Sequence, residues 1–228
     1  MIEHVFLDLD DTIFDFHAAE AIAIRKTLAQ MGAPHTDDIV KLYSSINDAY
    51  WKKLERGEIT RERLLTERFE CLYRELELDI SAELTRYTYR DLLAEQCIFI
   101  DGAEELLRAL HGSYRLHAVT NGNVAVQTAR IERSGVSKFF DHIFISESVG
   151  ANKPSPLFFS RCIDAISGFD AHSGIIVGDS LSSDIAGGKN AGLVTCLFNP
   201  KNKEITGPIA PDYEISSLSE LPPLLRRI

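Results

Sequence analysis

At 228 residues the chain is long for one compact domain and short for two, so one core with a modest insertion is the expected plan. Its net charge is −10 with no basic run, which argues against a nucleic-acid polymer or an anionic membrane surface as partner. No apolar run approaches the ~20 residues needed to span a bilayer. The four cysteines, Cys71, Cys97, Cys162 and Cys196, are scattered and form no C-x-x-C pair. With no secretory leader read at the N-terminus, free thiols and a cytoplasmic location are expected.

The chain opens on Val5-Phe6-Leu7-Asp8-Leu9-Asp10-Asp11-Thr12. Val5 to Leu7 read as a strand buried on both faces, the kind found inside a parallel sheet. Asp8 would then stand in the crevice at the strand's carboxyl end. Asp8 and Asp10 are two residues apart, so in extended chain both carboxylates point the same way. Two carboxylates in one pocket need a divalent cation, or one of them held protonated, or both. The competing reading of the same stretch is a solvated turn in which Thr12 caps a helix.

From Phe16 the pattern turns helical. Ala21, Ile24, Leu28 and Met31 form one stripe, ended by Gly32 and Pro34. Thr36 can cap a second helix with Ile39, Tyr43, Ile46, Tyr50 and Leu54 facing inward. Thr60 can cap a third, carrying Leu65, Phe69, Leu72 and Leu76. A fourth, from Ser81 to about Glu95, carries Leu84, Tyr87 and Leu92. Four helices without a strand predict a small bundle with its own core, inserted over residues 17–93.

From Ile98 strands and helices alternate. Strands are predicted at Ile98–Ile100, Arg115–Val119, His142–Ile145, Gly174–Gly178 and Val194–Phe198, with a short last one at Asp212–Ile215. Helices are predicted from Ala103 after a capped start at Asp101, to about Ser134, after the Pro154/Pro156 pair, and from about Ser183 to Gly192. Such alternation means a parallel sheet with helices on both faces. The fold class is therefore α/β: a Rossmann-like, doubly wound parallel sheet with an inserted α-helical domain.

Each strand end delivers one polar group to the same edge of that sheet. The first gives Asp8 and Asp10, the second Thr120, the loop before Pro154 gives Lys153, and the fourth gives Asp179, with Asp184 opening the next helix. Taken singly, these are ordinary loop and turn residues; their order and common placement carry the signal. Asp8-x-Asp10-x-Thr12, Thr120, Lys153-Pro154 and Gly178-Asp179-x-x-x-x-Asp184 together resemble the haloacid dehalogenase superfamily of aspartyl phosphotransferases. The insertion after the first motif matches that superfamily's first type of helical cap. More narrowly, Asp8 to Phe16, Gly178 to Asp184 and Thr195 to Pro200 are similar to the house-cleaning pyrimidine nucleotidases.

The resemblance implies a phosphomonoester hydrolase acting through an aspartyl-phosphate, with residues 1–16 and 94–228 as catalytic core and 17–93 as cap. It implies Asp8 as nucleophile and Asp10 as general acid and base. Magnesium would be held by Asp8, Asp179 and the backbone carbonyl of Asp10, with Asp184 behind them. Thr120 and the Asn121 N–H would hold phosphate oxygens, and Lys153 would neutralise Asp8 and phosphate together. Phe14 and Phe16 at the hinge, Asn47 and Trp51 one helical turn apart, and Arg61 are the candidates to line the substrate side. The expected partner is a small phosphomonoester, most specifically a pyrimidine nucleoside monophosphate, acted on by a monomer or homodimer. Alternatives are a phosphatase for another small metabolite, such as a sugar phosphate or phosphoglycolate, and a haloacid dehalogenase. A dehalogenase needs neither a metal nor an acid at Asp10. A receiver-type phosphoaspartate switch would be about half this length, without the helical insertion.

Overall fold

A computed structural model describes residues 1–228. Six parallel strands form one sheet in the order β3-β2-β1-β4-β5-β6. They are β1 (His4–Leu7), β2 (Arg115–Thr120), β3 (His142–Ile145), β4 (Gly174–Gly178), β5 (Val194–Phe198) and β6 (Tyr213–Ile215). This is the doubly wound order in which the chain's direction of build reverses beside the first strand. Asp8 leaves the sheet at that reversal, between β2 and β4, and its amide still donates to the Val177 carbonyl at 2.9 Å.

The residue alternation of β1 divides the core in two. Val5 and Leu7 pack into a cluster with α5 (Ala103–Leu110) and the C-terminal Leu218, Leu221 and Leu225. Phe6 points to the other face, where it meets Phe158, Phe159 and Cys162. These last three belong to α8 (Pro156–Asp164), which follows α6 (Val124–Ser134) and the single turn α7 (Ser146–Val149). Burying both faces requires the uninterrupted apolar run that β1 and β4 show. No helix is long and apolar enough to cross a membrane.

Between β1 and α5 lie four helices: α1 (Phe16–Gln30), α2 (Asp37–Glu55), α3 (Arg61–Glu75) and α4 (Ala82–Ala94). Asp15, Thr60 and Ser81 cap α1, α3 and α4 through their side chains; Thr36 stands at the start of α2 but makes no capping bond. The helices share an apolar cluster centred on Ile24, Leu28, Tyr43, Phe69, Leu72 and Tyr89, which also takes in Val126 from α6. Four sequence expectations are corrected. The inward face of α4 is Ala82, Thr85, Tyr89 and Leu93, while Leu84 and Tyr87 are exposed. Thr85 is buried because its hydroxyl bonds Tyr73 at 2.8 Å, a partner that a purely apolar stripe cannot reveal.

Ile98–Ile100 is not a strand of the sheet. It runs beside residues 13–15 where the chain crosses between sheet and bundle. Asp15 N donates to Ile98 O at 2.9 Å, Ile100 N to Ile13 O at 3.0 Å, and Phe14 pairs with Phe99. The helix expected after Asp179 divides into a π turn over Leu181–Ile185 and the short α9 (Ala186–Asn190). Likewise α5 starts without a side-chain cap, from Gly102 at φ +78°.

Three histidines line up across the sheet on the side away from the carboxylates. His4 Nδ1 lies 3.0 Å from His117 Nε2, and His142 Nδ1 lies 3.3 Å from His117 Nδ1. Burial, and then the neighbouring His4 and His142, push the His117 pKa down to about 3; burial and Arg115 lower His4 as well. The His117 ring is thus neutral in the fold down to about pH 3, whereas it protonates in the unfolded chain at about 6.5. The unfolded state then binds more protons between those limits, so stability falls as pH drops from about 6.5 toward 3. Thermal unfolding followed across that range should show His117→Gln losing less stability on acidification than wild type.

Candidate active site

Lys153 is 1% exposed, and its ammonium spends all three protons inside the protein. It donates to Asp8 Oδ1 at 2.5 Å, Asp184 Oδ1 at 2.6 Å and the Val119 carbonyl at 3.0 Å. The loop that carries it is pinned by Asn121, whose amide donates to Lys153 O at 2.9 Å and accepts from Lys153 N at 2.8 Å. Asp184 comes from the π turn, and its second oxygen accepts from Ser180 N at 3.1 Å. There is no room for a side chain behind it: a Cβ on Gly178 would overlap the Asp184 carboxylate.

Asp8, Asp179 and Asp184 bring carboxylate oxygens within 4.8 Å of one another. Three negative charges against one ammonium leave a surplus of two. Burial pushes the Asp8 carboxyl well above the usual range; Lys153 opposes this, while Asp184 and Asp179 add to it. Asp179 is pushed up by the surrounding protein, then by Asp184 and Asp11, although solvent in the cavity still reaches it. Burial works against the Lys153 ammonium, but Asp184 and Asp8 outweigh it and raise its pKa. A hard, divalent, oxygen-seeking cation fits this donor set in both charge and chemistry.

Across the site, both Asp10 oxygens are held by donors. Arg130 Nη1 lies 2.5 Å from Oδ1, and Gln127 Nε2 lies 2.7 Å from Oδ2. Gln127 Nε2 also reaches Thr120 Oγ1 at 2.8 Å, and Thr120 accepts from Gly122 N at 3.1 Å. Asp8, Asp10, Thr120, Asn121, Lys153 and Asp179 form one end of a cavity of about 500 Å³.

The other end is built by the helical bundle, from Phe16, Asn47, Trp51, Arg68, Tyr87 and Tyr89. Phe16 and Trp51 thus both line the cavity. Asn47 also lines the wall, but its amide is already engaged: it donates to Glu20 at 2.8 Å and accepts from Arg68 at 2.6 Å. Since a guanidinium only donates, that pairing fixes which way the amide points. Glu20 is 1% exposed, and burial foremost, assisted by Asp48, raises its pKa to about 7.

Two expected lining residues are elsewhere. Phe14 is fully buried, with the Arg130 guanidinium 4.8 Å above its ring, and does not reach the cavity. Arg61 is not a cavity wall either; its guanidinium runs from the start of α3 into the loops of the sheet. There it bonds Asn121 O at 2.9 Å, Gly122 O at 3.2 Å, Ser146 Oγ at 2.6 Å and Asn152 Oδ1 at 2.5 Å. An arginine at a helix start looked like a solvated or ligand-facing group because the acceptors that hold it lie 60 to 91 residues away.

With this geometry in view, the sequence was compared with known proteins. Residues 2–192 match the family of haloacid dehalogenase-like hydrolases. The chain belongs to that family. Among its relatives, HAD hydrolase YfnB of Bacillus subtilis is 40% identical over 95% of this chain and 92% of its own length. Pyrimidine 5'-nucleotidase PynA of Streptococcus pneumoniae is 35% identical over 95% and 92%, and pyrimidine 5'-nucleotidase YjjG of Escherichia coli 34% over 97% and 96%. The crystal structure of magnesium-bound YfnB, described as revealing interdomain movement, superposes with a TM-score of 0.94, covering 98% of each chain at 39% identity. Membership of the haloacid dehalogenase-like hydrolases, with 5'-nucleotidases among the relatives, fits an enzyme that hydrolyses phosphoric monoesters.

Sequence reasoning passed over Gln127, Arg130, Arg68 and Glu20. A signal for the first two was present. Gln127 and Arg130 occupy the same helical stripe as the buried Val126 and Ile131, and a charged residue on an apolar stripe needs a partner. Gly178→Ala should displace Asp184 from Lys153 and cost about 1–3 kcal/mol by overpacking. Urea unfolding at fixed pH measures this, and comparable stability to wild type would mean the turn relaxes freely.

Proposed function

We propose that the protein is a magnesium-dependent phosphomonoesterase that works through an aspartyl-phosphate and prefers pyrimidine nucleoside monophosphates. The observation that carries this reading is the Asp8–Lys153–Asp184 cluster with Asp179 beside it and Asp10 two residues beyond Asp8. Lys153 holds one oxygen of Asp8 and leaves the other as the attacking atom. That oxygen forms a bond to phosphorus as the bond to the leaving oxygen breaks, and Asp10 gives the departing alkoxide its proton. Water then attacks the acyl-phosphate, Asp10 takes its proton, and inorganic phosphate leaves with Asp8 restored. Thr120 and the Asn121 N–H are assigned to the non-bridging oxygens. Magnesium would be held by Asp8, Asp179 and the Asp10 carbonyl, with Asp184 behind, and would supply the missing positive charge between nucleophile and phosphate.

In this reading residues 17–93 are a cap that closes over the leaving group and excludes water. Phe16 and Trp51 offer a flat surface to a nucleobase, where stacking is worth ~1–3 kcal/mol. Support for a pyrimidine comes from the two nucleotidase relatives. An acid at Asp10 and a carboxylate at Asp179 disfavour the dehalogenase alternative, which requires neither.

Asp8→Asn should abolish turnover, since an amide does not attack, while Asp10→Asn should lose about 10²–10⁴-fold. Phosphate release after chelation should vanish and return with Mg²⁺; full activity in chelator would remove the metal from the reading. On a panel of monophosphates, pyrimidine nucleotides should show the highest kcat/KM, and Trp51→Ala should raise KM for nucleotides more than for an aryl phosphate. If a sugar phosphate or phosphoglycolate outruns every nucleotide, the substrate assignment fails while the phosphatase assignment stands.

A further inference from the structure

Arg130 is fully buried, and its guanidinium touches four groups that no packing role would need to bring together. Nη1 holds Asp10 Oδ1 at 2.5 Å and Gln127 Oε1 at 3.1 Å. Nε donates to the Gln96 carbonyl at 3.1 Å, and the plane lies 4.8 Å from the Phe14 ring. Phe14 sits on one of the two segments by which the chain crosses between bundle and sheet, and Gln96 lies two residues before the other. Gln127 completes the brace, joining Asp10 Oδ2 to Thr120 Oγ1. Space has been left for it: a Cβ on Gly122 would collide with the Gln127 side chain.

A further feature separates this cluster from a static ion pair. Nη2 of Arg130 is buried without an acceptor, so the guanidinium keeps a donor in reserve beside Asp10. Both Asp10 oxygens are occupied in this arrangement, yet an acid or base must turn one of them toward the reacting oxygen. The group best able to release it is the one fastened at one crossing and just before the other. Charge-assisted bonds of this kind depend steeply on distance and angle, so small movements of the crossings alter the grip.

We infer that Arg130, assisted by Gln127, is a positioning residue that sets the orientation of the Asp10 carboxylate according to the state of the hinge between bundle and sheet. This rests on the phosphomonoesterase reading above. A leaving group that departs without a proton does not need Asp10 in the first step, whereas an alkoxide does. Since kcat/KM reports events up to the first irreversible step, phosphoryl transfer to Asp8, it isolates that requirement.

The experiment compares a nucleoside monophosphate with p-nitrophenyl phosphate in wild type, Arg130→Lys, Gln127→Met and Phe14→Leu, each checked for cooperative unfolding. Phe14→Leu removes the ring under the guanidinium but no hydrogen bond to Asp10. Each variant should lose about 10²-fold in kcat/KM on the nucleotide. On the nitrophenyl ester kcat/KM should stay within about threefold while kcat falls, because the second step still needs Asp10 as base. In an Asp10→Asn background Arg130→Lys should cost the nucleotide reaction nothing further. Equal losses on both esters, or additivity with Asp10→Asn, overturn the inference while leaving an active wild type as a phosphatase. A wild type that hydrolyses neither ester overturns both. If one variant unfolds, the same comparison is read from the others.

Discussion

A buried ammonium shared by two buried carboxylates is the constraint around which the chain is arranged. Lys153 and Asp184 are each 1% exposed or less, and an unpaired charge at that depth would cost several kcal/mol. The pairing therefore has to be made wherever the chain folds at all. To make it, the loop before α8 must be drawn against the loop after β2, which the two Asn121 bonds accomplish. The turn after β4 must also bend Asp184 back under Gly178. Only a parallel sheet that reverses its order beside β1 brings these three strand ends together. The surplus negative charge that remains is of the size and donor chemistry that a hard divalent cation would balance.

The bundle is fastened to this centre differently. Apart from Val126, its apolar cluster is its own, and several of its contacts with the sheet loops are polar. Arg61 meets neutral oxygens, and its pKa is lowered by burial, with Glu147 only partly compensating. Glu55 at the end of α2 accepts from Ser182 at 2.8 Å. Bonds of this type exchange readily with water, so breaking them costs far less than opening an apolar interface. The other attachment is the backbone pairing of residues 13–15 with 98–100, where the chain itself crosses between the two parts.

Legibility in the sequence followed chemistry more than distance. The apolar runs of β1 and β4, the carboxylates at their ends and Lys153 could be read because each feature is local and its type decides its use. The expectations failed where polar groups were buried against one another. Thr85 satisfies Tyr73; Glu20, Asn47 and Arg68 satisfy one another; and Arg130 satisfies Asp10. Hydrophobic periodicity assigns such residues to solvent, which rotated the predicted face of α4 and hid the brace on Asp10. Phe14 and Arg61 failed for a related reason. Their positions next to the acidic turn and at a helix start were right, but burial against Phe99 and Arg130, and capture by distant loop carbonyls, turn them away from the cavity.

The two ends of the cavity are thus governed by different physics. At the sheet end, Asp8, Asp10, Lys153 and Asp184 are each held by another charged group, and Asp8, Lys153 and Asp184, which share one ammonium, behave as one unit. At the bundle end the fixed element is the Glu20–Asn47–Arg68 chain, seated among Tyr43, Phe69 and Tyr89 with the guanidinium 5.0 Å from two of the rings. Asn47 and Arg68 of that chain form part of the wall with Glu20 behind them, while the Trp51 and Phe16 side chains make no hydrogen bond to it. Exchange of the surface aromatics therefore reshapes that end of the cavity without removing either charged partner of Lys153. The two ends belong to elements joined through the crossings, through Val126 in the bundle's apolar cluster and through a few polar contacts, so a change in the lining of one end leaves the charged groups of the other in place.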